Sequence, residues 1–138
     1  MIPVLRRCSI FTGPEATFTV QTSGSTGTPK NIHLKKEDME ASARKTLRFL
    51  RLSRGSRSLL CLPHDRIGGL MMFVRWWVGA LDLHITVPQS NPLGEVEGSF
   101  EFAAMVPYQV SRSLNELHRI EKLIIGGGSI PPVLEQKL

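Results

Sequence analysis

One short run near the start of the chain constrains its fold more than any other feature. Residues 22–30 read Thr-Ser-Gly-Ser-Thr-Gly-Thr-Pro-Lys. Glycines allow backbone N–H groups to turn toward an anion in conformations that other residues avoid. The hydroxyl side chains add hydrogen-bond donors, and Lys30 adds a point charge that suits phosphate oxygens. A flexible Gly/Ser linker has a similar composition, but it does not need the Pro29-Lys30 end. The run therefore predicts a phosphate-binding loop.

The residues on both sides of this run predict two strands. Residues 17–22 and 30–35 alternate apolar and polar side chains, which is typical of half-buried strands. A Walker A loop instead opens a helix and follows the pattern G-x-x-x-x-G-K-[ST]. Here Pro29 stands where that pattern needs its second glycine, and Asn31 stands where it needs Ser or Thr. The pattern favours a phosphate loop between two strands over a Walker A loop.

The rest of the chain predicts strands that alternate with helices. Helices are expected over 37–50, 68–81 and 107–117, with a last one opened by Pro131-Pro132. Strands are expected over 59–62, 83–87, 102–106 and 123–125, with a Pro/Gly/Asn-rich loop over 88–98. This order predicts an α/β fold with a largely parallel sheet and flanking helices. A length of 138 residues suits a single domain.

The run 22–30 resembles the phosphate loop of the adenylate-forming superfamily, which includes acyl-CoA synthetases, luciferases and the adenylation domains of peptide synthetases. That family's pattern is [ST]-S-G-[ST]-T-G-x-P-K-G, and only its last glycine is replaced, by Asn31. The resemblance implies that this loop holds the phosphates of ATP, with Lys30 and Thr26 as catalytic residues. The implied phosphate-binding residues are Thr22, Ser23, Gly24, Ser25, Thr26, Gly27, Thr28, Pro29 and Lys30.

Two later segments resemble further motifs of the same superfamily. Residues 62–70 resemble a motif in which a strand ends in proline and a histidine follows three places on. Arg66 occupies that place here, and His64 stands two positions earlier. Residues 123–131 resemble a strand that ends in Gly-Gly-Ala-x-x-Pro, beside the adenine and the acyl group. The pocket residues that these likenesses imply, with Arg75 added, are Arg66, Gly68, Arg75, Gly126, Gly127, Gly128 and Ser129.

Within the superfamily, the chain is most similar to the o-succinylbenzoate–CoA ligases of menaquinone biosynthesis. Residues 74–80, Val-Arg-Trp-Trp-Val-Gly-Ala, resemble a Trp-Arg-Trp-like cluster in those enzymes. Their substrate is a dicarboxylate, and its unreactive carboxylate needs a cation in the pocket. Arg66 and Arg75 are the candidates, with Arg66 preferred. The alternative for Arg75 is a buried arginine paired with an acid such as Asp82.

The resemblance covers residues 17–138, about a third of a typical family member. It implies that residues 1–138 form a single partial domain, a piece of the large N-terminal domain of an adenylate-forming enzyme, without the small C-terminal domain. It also implies ATP, Mg²⁺ carried by the nucleotide, coenzyme A as co-substrate and a small carboxylic acid. We expect the chain alone to be inactive and to self-associate through exposed apolar surface. An enzyme that passes its acyl group to a carrier protein, and a non-catalytic nucleotide-binding fragment, remain alternatives.

Charge and cysteine content bound the other possibilities. Lys and Arg outnumber Asp and Glu by 17 to 12, which favours anionic partners such as ATP and coenzyme A. The basic residues are scattered and no aromatic-studded basic motif occurs, so nucleic acid is not expected. The longest apolar stretch, 67–81, is interrupted by Arg75 and too short for a membrane span. No membrane partner is therefore expected, and the chain is predicted to be cytoplasmic.

Cys61 is expected to be a buried, inert thiol. No metal site is predicted, because no metal-ligand spacing occurs among Cys8, Cys61, His33, His64, His84 and His118.

Overall fold

A computed structural model describes residues 13–14, 17–22 and 30–138 of the chain. Six strands are described: β1 Thr17–Thr22, β2 Lys30–Lys35, β3 Arg57–Leu60, β4 Asp82–Ile85, β5 Phe100–Met105 and β6 Ile120–Ile125. Four α-helices accompany them: α1 Lys36–Phe49, α2 Ile67–Gly79, α3 Pro107–Arg112 and α4 Pro132–Glu135. Short 3₁₀ helices occupy Pro92–Glu95 and Leu114–Arg119.

The strands form two separate sheets. β1 and β2 are an antiparallel pair, whereas the other four form a parallel sheet in the order β4-β3-β5-β6. The predicted α/β fold with a largely parallel sheet is confirmed. Because all four strands of this sheet are parallel, their C-terminal ends meet at one edge, which we call the carboxyl edge. In open parallel sheets ligands bind at this edge.

Helices cover both faces of the parallel sheet, and the hairpin packs on one of these helix layers. On one face, Leu47 of α1 and Phe73 of α2 pack against Leu60 and Phe102. The opposite face buries Leu59, Ala103 and Met105 against Val110 of α3 and Leu134 of α4. The hairpin places Phe18 and Val20 against α1 and α2, on residues Met39, Ala43, Leu70 and Val74. The helices α1 and α2 therefore lie between the hairpin and the sheet.

Helix α1 forms where its pattern predicts. Its buried residues Met39, Ala43 and Leu47 are spaced by four, so they fall on one face of the helix. Leu50 follows the last helical residue and is half-buried. The predicted helix and its buried face are confirmed.

Helix α2 starts under a steric constraint that only glycine meets. A Cβ atom on Gly69 would lie 2.2 Å from the carbonyl oxygen of Pro63, in the turn that leads into the helix. The close approach seats the first turn of α2 directly against the turn that follows β3. Along the described residues, no helix is both long and apolar enough to cross a membrane.

The predicted helix over 107–117 is wrong in its second half. Helix α3 ends at Arg112, and a 3₁₀ helix continues from Leu114. At the junction lies Ser113, which is fully buried and donates its hydroxyl to Asn91 Oδ1 at 2.9 Å. The change in helix type coincides with a hydrogen bond to a loop 22 residues earlier in the chain. A local sequence pattern does not predict such a bond.

Candidate functional site

The hairpin brings the two ends of the predicted phosphate loop together. Thr22 and Lys30 face each other as partners at the end of the β1–β2 ladder. The loop therefore connects adjacent strands, as the sequence predicts. The predicted residues Ser23, Gly24, Ser25, Thr26, Gly27, Thr28 and Pro29 lie outside the described residues.

The two faces of the hairpin differ sharply. Phe18 and Val20 are buried, which anchors the hairpin on α1 and α2. The alternate residues are exposed, and the hydroxyl of Thr19 lies 3.0 Å from His33 Nδ1. Lys30 starts β2 with an exposed side chain at the mouth of the loop. One face thus fixes the strands, while the other presents polar groups to solvent.

The predicted glycine-rich residues follow β6 at the carboxyl edge. The N–H of Gly126 donates to the carbonyl of Met105 at 3.1 Å, which holds the turn against the end of β5. Gly127 has φ +79°, in the left-handed region that favours glycine, and a Cβ there would lie 3.2 Å from Val106 Cγ1. Gly128 approaches Pro107, and Ser129 is exposed. These four residues form an open backbone surface at the junction of β5, β6 and α3.

Arg66 and Gly68 lie where the chain enters α2. The N–H of Arg66 donates to the carbonyl of Pro63 at 3.2 Å, and the Arg66 carbonyl accepts the N–H of Leu70 at 2.9 Å. The side chain of Arg66 is exposed. A Cβ on Gly68 would lie 3.1 Å from Leu62 Cδ1, so this helix start also packs closely.

Arg75 lies deeper, on the sheet side of α2. Its guanidinium carbon is 6.0 Å from the centroid of the Phe102 ring. Nε is buried and has no hydrogen-bond partner within the described part of the chain. Desolvation by burial lowers the pKa of Arg75. The structure shows no ion pair between Arg75 and Asp82, the alternative that the sequence suggested; the Asp82 carboxylate contacts His84 Nε2 at 3.1 Å.

A cavity of about 300 Å³ opens at the carboxyl edge between β3 and β4. His64 is half-buried and is the one imidazole among the residues that line it. The sequence reasoning passed over His64 because it stands two positions before the expected place, although its position just after a buried strand was a usable signal. The residues lining the cavity are Leu60, Leu62, His64, Ile85, Thr86, Val87 and Pro88.

Gln109 organises the same edge, and the sequence analysis did not identify it. Its Nε2 donates to the carbonyls of Cys61 and Gln89, both at 3.0 Å, and its Oε1 accepts the N–H of Val106 at 3.2 Å. The side chain is buried, so these bonds tie the ends of β3 and β5 to the following loop. A single glutamine after a Pro carries no local signal for this role.

Cys61 is a structural thiol, as expected. It is fully buried, and its Sγ donates to the carbonyl of Ala104 at 3.4 Å. Burial raises its pKa to about 12, so the thiolate is not available near neutral pH. Across residues 13–14, 17–22 and 30–138, no group of three or more His, Cys, Asp or Glu side chains is arranged to hold a metal ion.

Solved structures similar to this chain include a protein described as acyl-CoA synthetase-like and o-succinylbenzoate CoA synthetases. An acyl-CoA synthetase (AMP-forming)/AMP-acid ligase II-like protein from Dyadobacter fermentans matches with a TM-score of 0.88 and 33% sequence identity, over 99% of this chain and 42% of that one. MenE from E. coli, as an arginine-to-lysine variant with bound OSB-AMS, matches with a TM-score of 0.67 and 26% identity, over 86% of this chain and 27% of that one.

A third match supports the fold alone. The o-succinylbenzoate CoA synthetase (MenE) from Bacillus subtilis, bound with its product analogue OSB-NCoA, has a TM-score of 0.71 and 22% identity, over 86% of this chain and 26% of that one. No family model matches the sequence, and no curated protein matches it either. The chain spans less than half the length of each of these three proteins. It has the α/β fold of the N-terminal domain of AMP-forming acyl-CoA synthetases.

Proposed function

We propose that this chain supplies the ATP-phosphate and acyl-binding part of an ATP-dependent acid–CoA ligase that works in the cytoplasm. In such a reaction a carboxylate attacks the α-phosphate of ATP and expels pyrophosphate. The thiol of coenzyme A then displaces AMP from the acyl-adenylate to form a thioester. The observation that carries the proposal is the hairpin, in which Thr22 and Lys30, the residues on either side of the glycine- and hydroxyl-rich run, are paired. The similarity to the Dyadobacter synthetase over 99% of the chain supports it.

The donor set of this loop fits the phosphates of ATP. Backbone N–H groups at Gly24 and Gly27, the hydroxyl of Thr26 and the ammonium of Lys30 are all donors, which polyphosphate oxygens accept. In the proposed role they hold the β- and γ-phosphates so that the leaving pyrophosphate lies in line with the attacking carboxylate. Lys30 offsets the charge that develops on pyrophosphate. Mg²⁺ would arrive on the nucleotide, since Mg²⁺ binds chiefly through phosphates and water.

The acyl pocket is proposed to open at the carboxyl edge, between α2 and the Gly126–Gly128 turn, and to extend along α2 as far as Arg75. For o-succinylbenzoate the pocket needs a cation for the carboxylate that does not react. We favour Arg75 over Arg66 for this role, because the Nε of Arg75 is buried with no partner among the described residues, whereas Arg66 is exposed to water. A buried donor left unpaired costs about 1–3 kcal/mol, which a bound carboxylate would recover. MenE with bound OSB-AMS among the similar structures supports this substrate class.

A second candidate differs only in the acyl acceptor. An enzyme that transfers the acyl group to a carrier protein would use the same loop and the same pocket. The first half-reaction is common to both candidates. They differ in the thiol that accepts the acyl group from the acyl-adenylate. A binding domain without catalysis is the third candidate, and it would hold nucleotide without pyrophosphate exchange.

The test is acid-dependent ATP–pyrophosphate exchange by the whole protein that contains this chain. We expect exchange only when a carboxylic acid is present, and faster exchange with o-succinylbenzoate than with benzoate or a medium-chain fatty acid. Nucleotide binding without exchange for any acid would contradict the enzyme proposal. Exchange with another acid but not o-succinylbenzoate would keep the reaction class and overturn the substrate.

A further inference from the structure

The basic charge of the chain is concentrated in one short segment, residues 44–57. The chain has 17 Lys and Arg against 12 Asp and Glu, and the segment contains six of these cations and no acid. The eleven cations elsewhere are nearly balanced by the twelve acids, so the net charge of +5 originates in this segment. The prediction that the basic residues are scattered is therefore wrong for residues 44–57. The six cations are Arg44, Lys45, Arg48, Arg51, Arg54 and Arg57.

Two of the six are already engaged by the protein. Arg44 pairs with Glu40 one helical turn earlier, at 2.8 Å. Arg57 turns inward, where its guanidinium donates to the carbonyls of Glu97 and Ser99 at 3.2 and 3.1 Å. A ligand that bound Arg44 or Arg57 would have to replace these protein partners, which the other four cations do not have.

The remaining four form an exposed patch at the end of α1. Lys45 and Arg48 project away from the buried stripe of this helix, and Arg51 and Arg54 follow in the turn after it. All four side chains are exposed, and none has a hydrogen bond or ion pair in the described part of the chain. We call Lys45, Arg48, Arg51 and Arg54, together with Phe49 among them, the basic patch.

Phe49 gives the patch an apolar centre. It is the last residue of α1, and 85% of its surface is exposed. A single exposed apolar residue is ordinary on a protein surface, but this ring follows Arg48 directly and lies one helical turn from Lys45. Helices that bind at membrane interfaces combine Lys and Arg with Phe, Trp or Leu in this way.

Arg51 occupies a backbone position where glycine is the usual residue. Its φ is +51°, the left-handed conformation in which helices commonly end on glycine. The bond from Leu52 N–H to the Leu47 carbonyl, at 2.9 Å, completes this helix end. Cations near a helix C-terminus are favoured by the helix dipole, which accounts for Arg48 but not for Phe49 or Arg54. At residue 51 the chain has an arginine, although a glycine would adopt this backbone conformation without strain.

We propose that the basic patch binds anionic phospholipid headgroups at a membrane surface, with Phe49 inserted among them. This goes beyond the proposed ligase function and does not depend on it. An anionic membrane surface presents many phosphates to a group of exposed cations, which suits this run of unpaired cations at a helix end. Single-stranded nucleic acid sites instead combine a groove with several aromatic platforms, whereas Phe49 is the one aromatic residue in the segment 44–57.

The test measures binding of the 138-residue chain to vesicles by co-sedimentation. We expect binding to vesicles of phosphatidylcholine mixed with phosphatidylglycerol, no binding to phosphatidylcholine alone, and weaker but residual binding to the anionic vesicles with added salt. Arg48→Gln should lower the partition coefficient about fivefold, which corresponds to the usual contribution of one cation near an anionic surface. Phe49→Ser should weaken the binding that persists in salt. Arg112→Gln is the matched control, an exposed arginine at the end of α3, and should bind as the wild type does.

Arg51→Gly separates binding from folding. Glycine relaxes the left-handed backbone while it removes the charge, so vesicle binding should fall with no loss of thermal stability. Equal binding to neutral and anionic vesicles would overturn the proposal, as would equal effects of Arg48→Gln and Arg112→Gln. Tighter binding to duplex DNA or RNA than to anionic vesicles, with the same dependence on Arg48, would replace the membrane by a nucleic acid.

Discussion

At the scale of single residues, burial separates the two arginines that the sequence offers as cations for the acyl pocket. The sequence pattern favours Arg66, since it occupies the motif position of a pocket histidine. In the structure Arg66 is exposed, whereas Arg75 lies beside Phe102 and its buried Nε has no hydrogen-bond partner in the part of the chain that the structure describes. A charge in a water-poor site interacts more strongly with a ligand carboxylate than one that water screens. Arg75 is therefore the stronger candidate for recognising a dicarboxylate.

This leads to a prediction for substrate selectivity in the whole protein. Arg75→Leu should weaken o-succinylbenzoate by about one to two decades relative to benzoate, since a hydrogen bond to a charged group contributes roughly 1.5–3 kcal/mol. The measurement is kcat/KM for pyrophosphate exchange with each acid. Arg66→Leu is the matched control and should affect both acids alike. A selective loss in Arg66→Leu, with none in Arg75→Leu, would restore the original ranking.

At the scale of elements, the start of α2 sets the shape of the carboxyl edge. Gly69 lets the helix approach the turn after β3, and Gln109 ties that turn to β5 through the carbonyl of Cys61. At the opposite end of the sheet, Arg119 donates to the carbonyls of Leu93, Val96 and Gly98. The loop between β4 and β5 is thus fixed by side chains from other elements.

We predict that Gly69→Ala destabilises the chain although alanine favours helices. The added Cβ would meet the Pro63 carbonyl at 2.2 Å, so the backbone must shift. Overpacking of this kind costs about 1–3 kcal/mol. Thermal or urea unfolding of the chain measures it. Gly126→Ala is the control, because nothing lies within 4 Å of its Cβ position; equal stability of Gly69→Ala and Gly126→Ala would show that α2 does not need the close approach.

The sequence predicted the elements well and their boundaries less well. Alternating or periodic apolar residues identify the hairpin and α1 without tertiary information. Strand β3 begins at Arg57 rather than at Leu59, because backbone pairing with Asp82 extends the strand beyond its apolar residues. The roles of Gln109 and Ser113 depend on partners far away in the chain, and no local pattern contains them. The partnerless Nε of Arg75 likewise required the packing of α2 on β5.

At the scale of the whole molecule, the parallel sheet has an apolar edge. Strand β6 pairs with β5 on one side and, among the described residues, with no strand on the other. Its residues Leu123, Ile124 and Ile125 are only half-buried. An exposed strand edge with apolar side chains is a template for pairing with another chain.

We therefore predict that the 138-residue chain self-associates at high concentration. Sedimentation velocity should show a weight-average mass that rises with concentration. Ile124→Lys should suppress the association by placing a charge on the edge strand. Val133→Lys is the control, since Val133 is exposed but lies in α4, away from this edge. A concentration-independent monomer for the wild type would contradict the prediction.

The central claim is that the hairpin loop holds the phosphates of ATP through Lys30, and one comparison tests it most directly. Lys30 lies at the mouth of the loop, and Lys35 lies exposed at the far end of the same strand. ATP–pyrophosphate exchange is measured in the whole protein for Lys30→Ala and Lys35→Ala, with unfolding curves as the check on folding. We predict a loss of about 10²–10³ in rate for Lys30→Ala, the usual effect of removing one donor to transition-state charge, and wild-type exchange for Lys35→Ala. Unchanged exchange in Lys30→Ala, or an equal loss in both variants, would contradict the account.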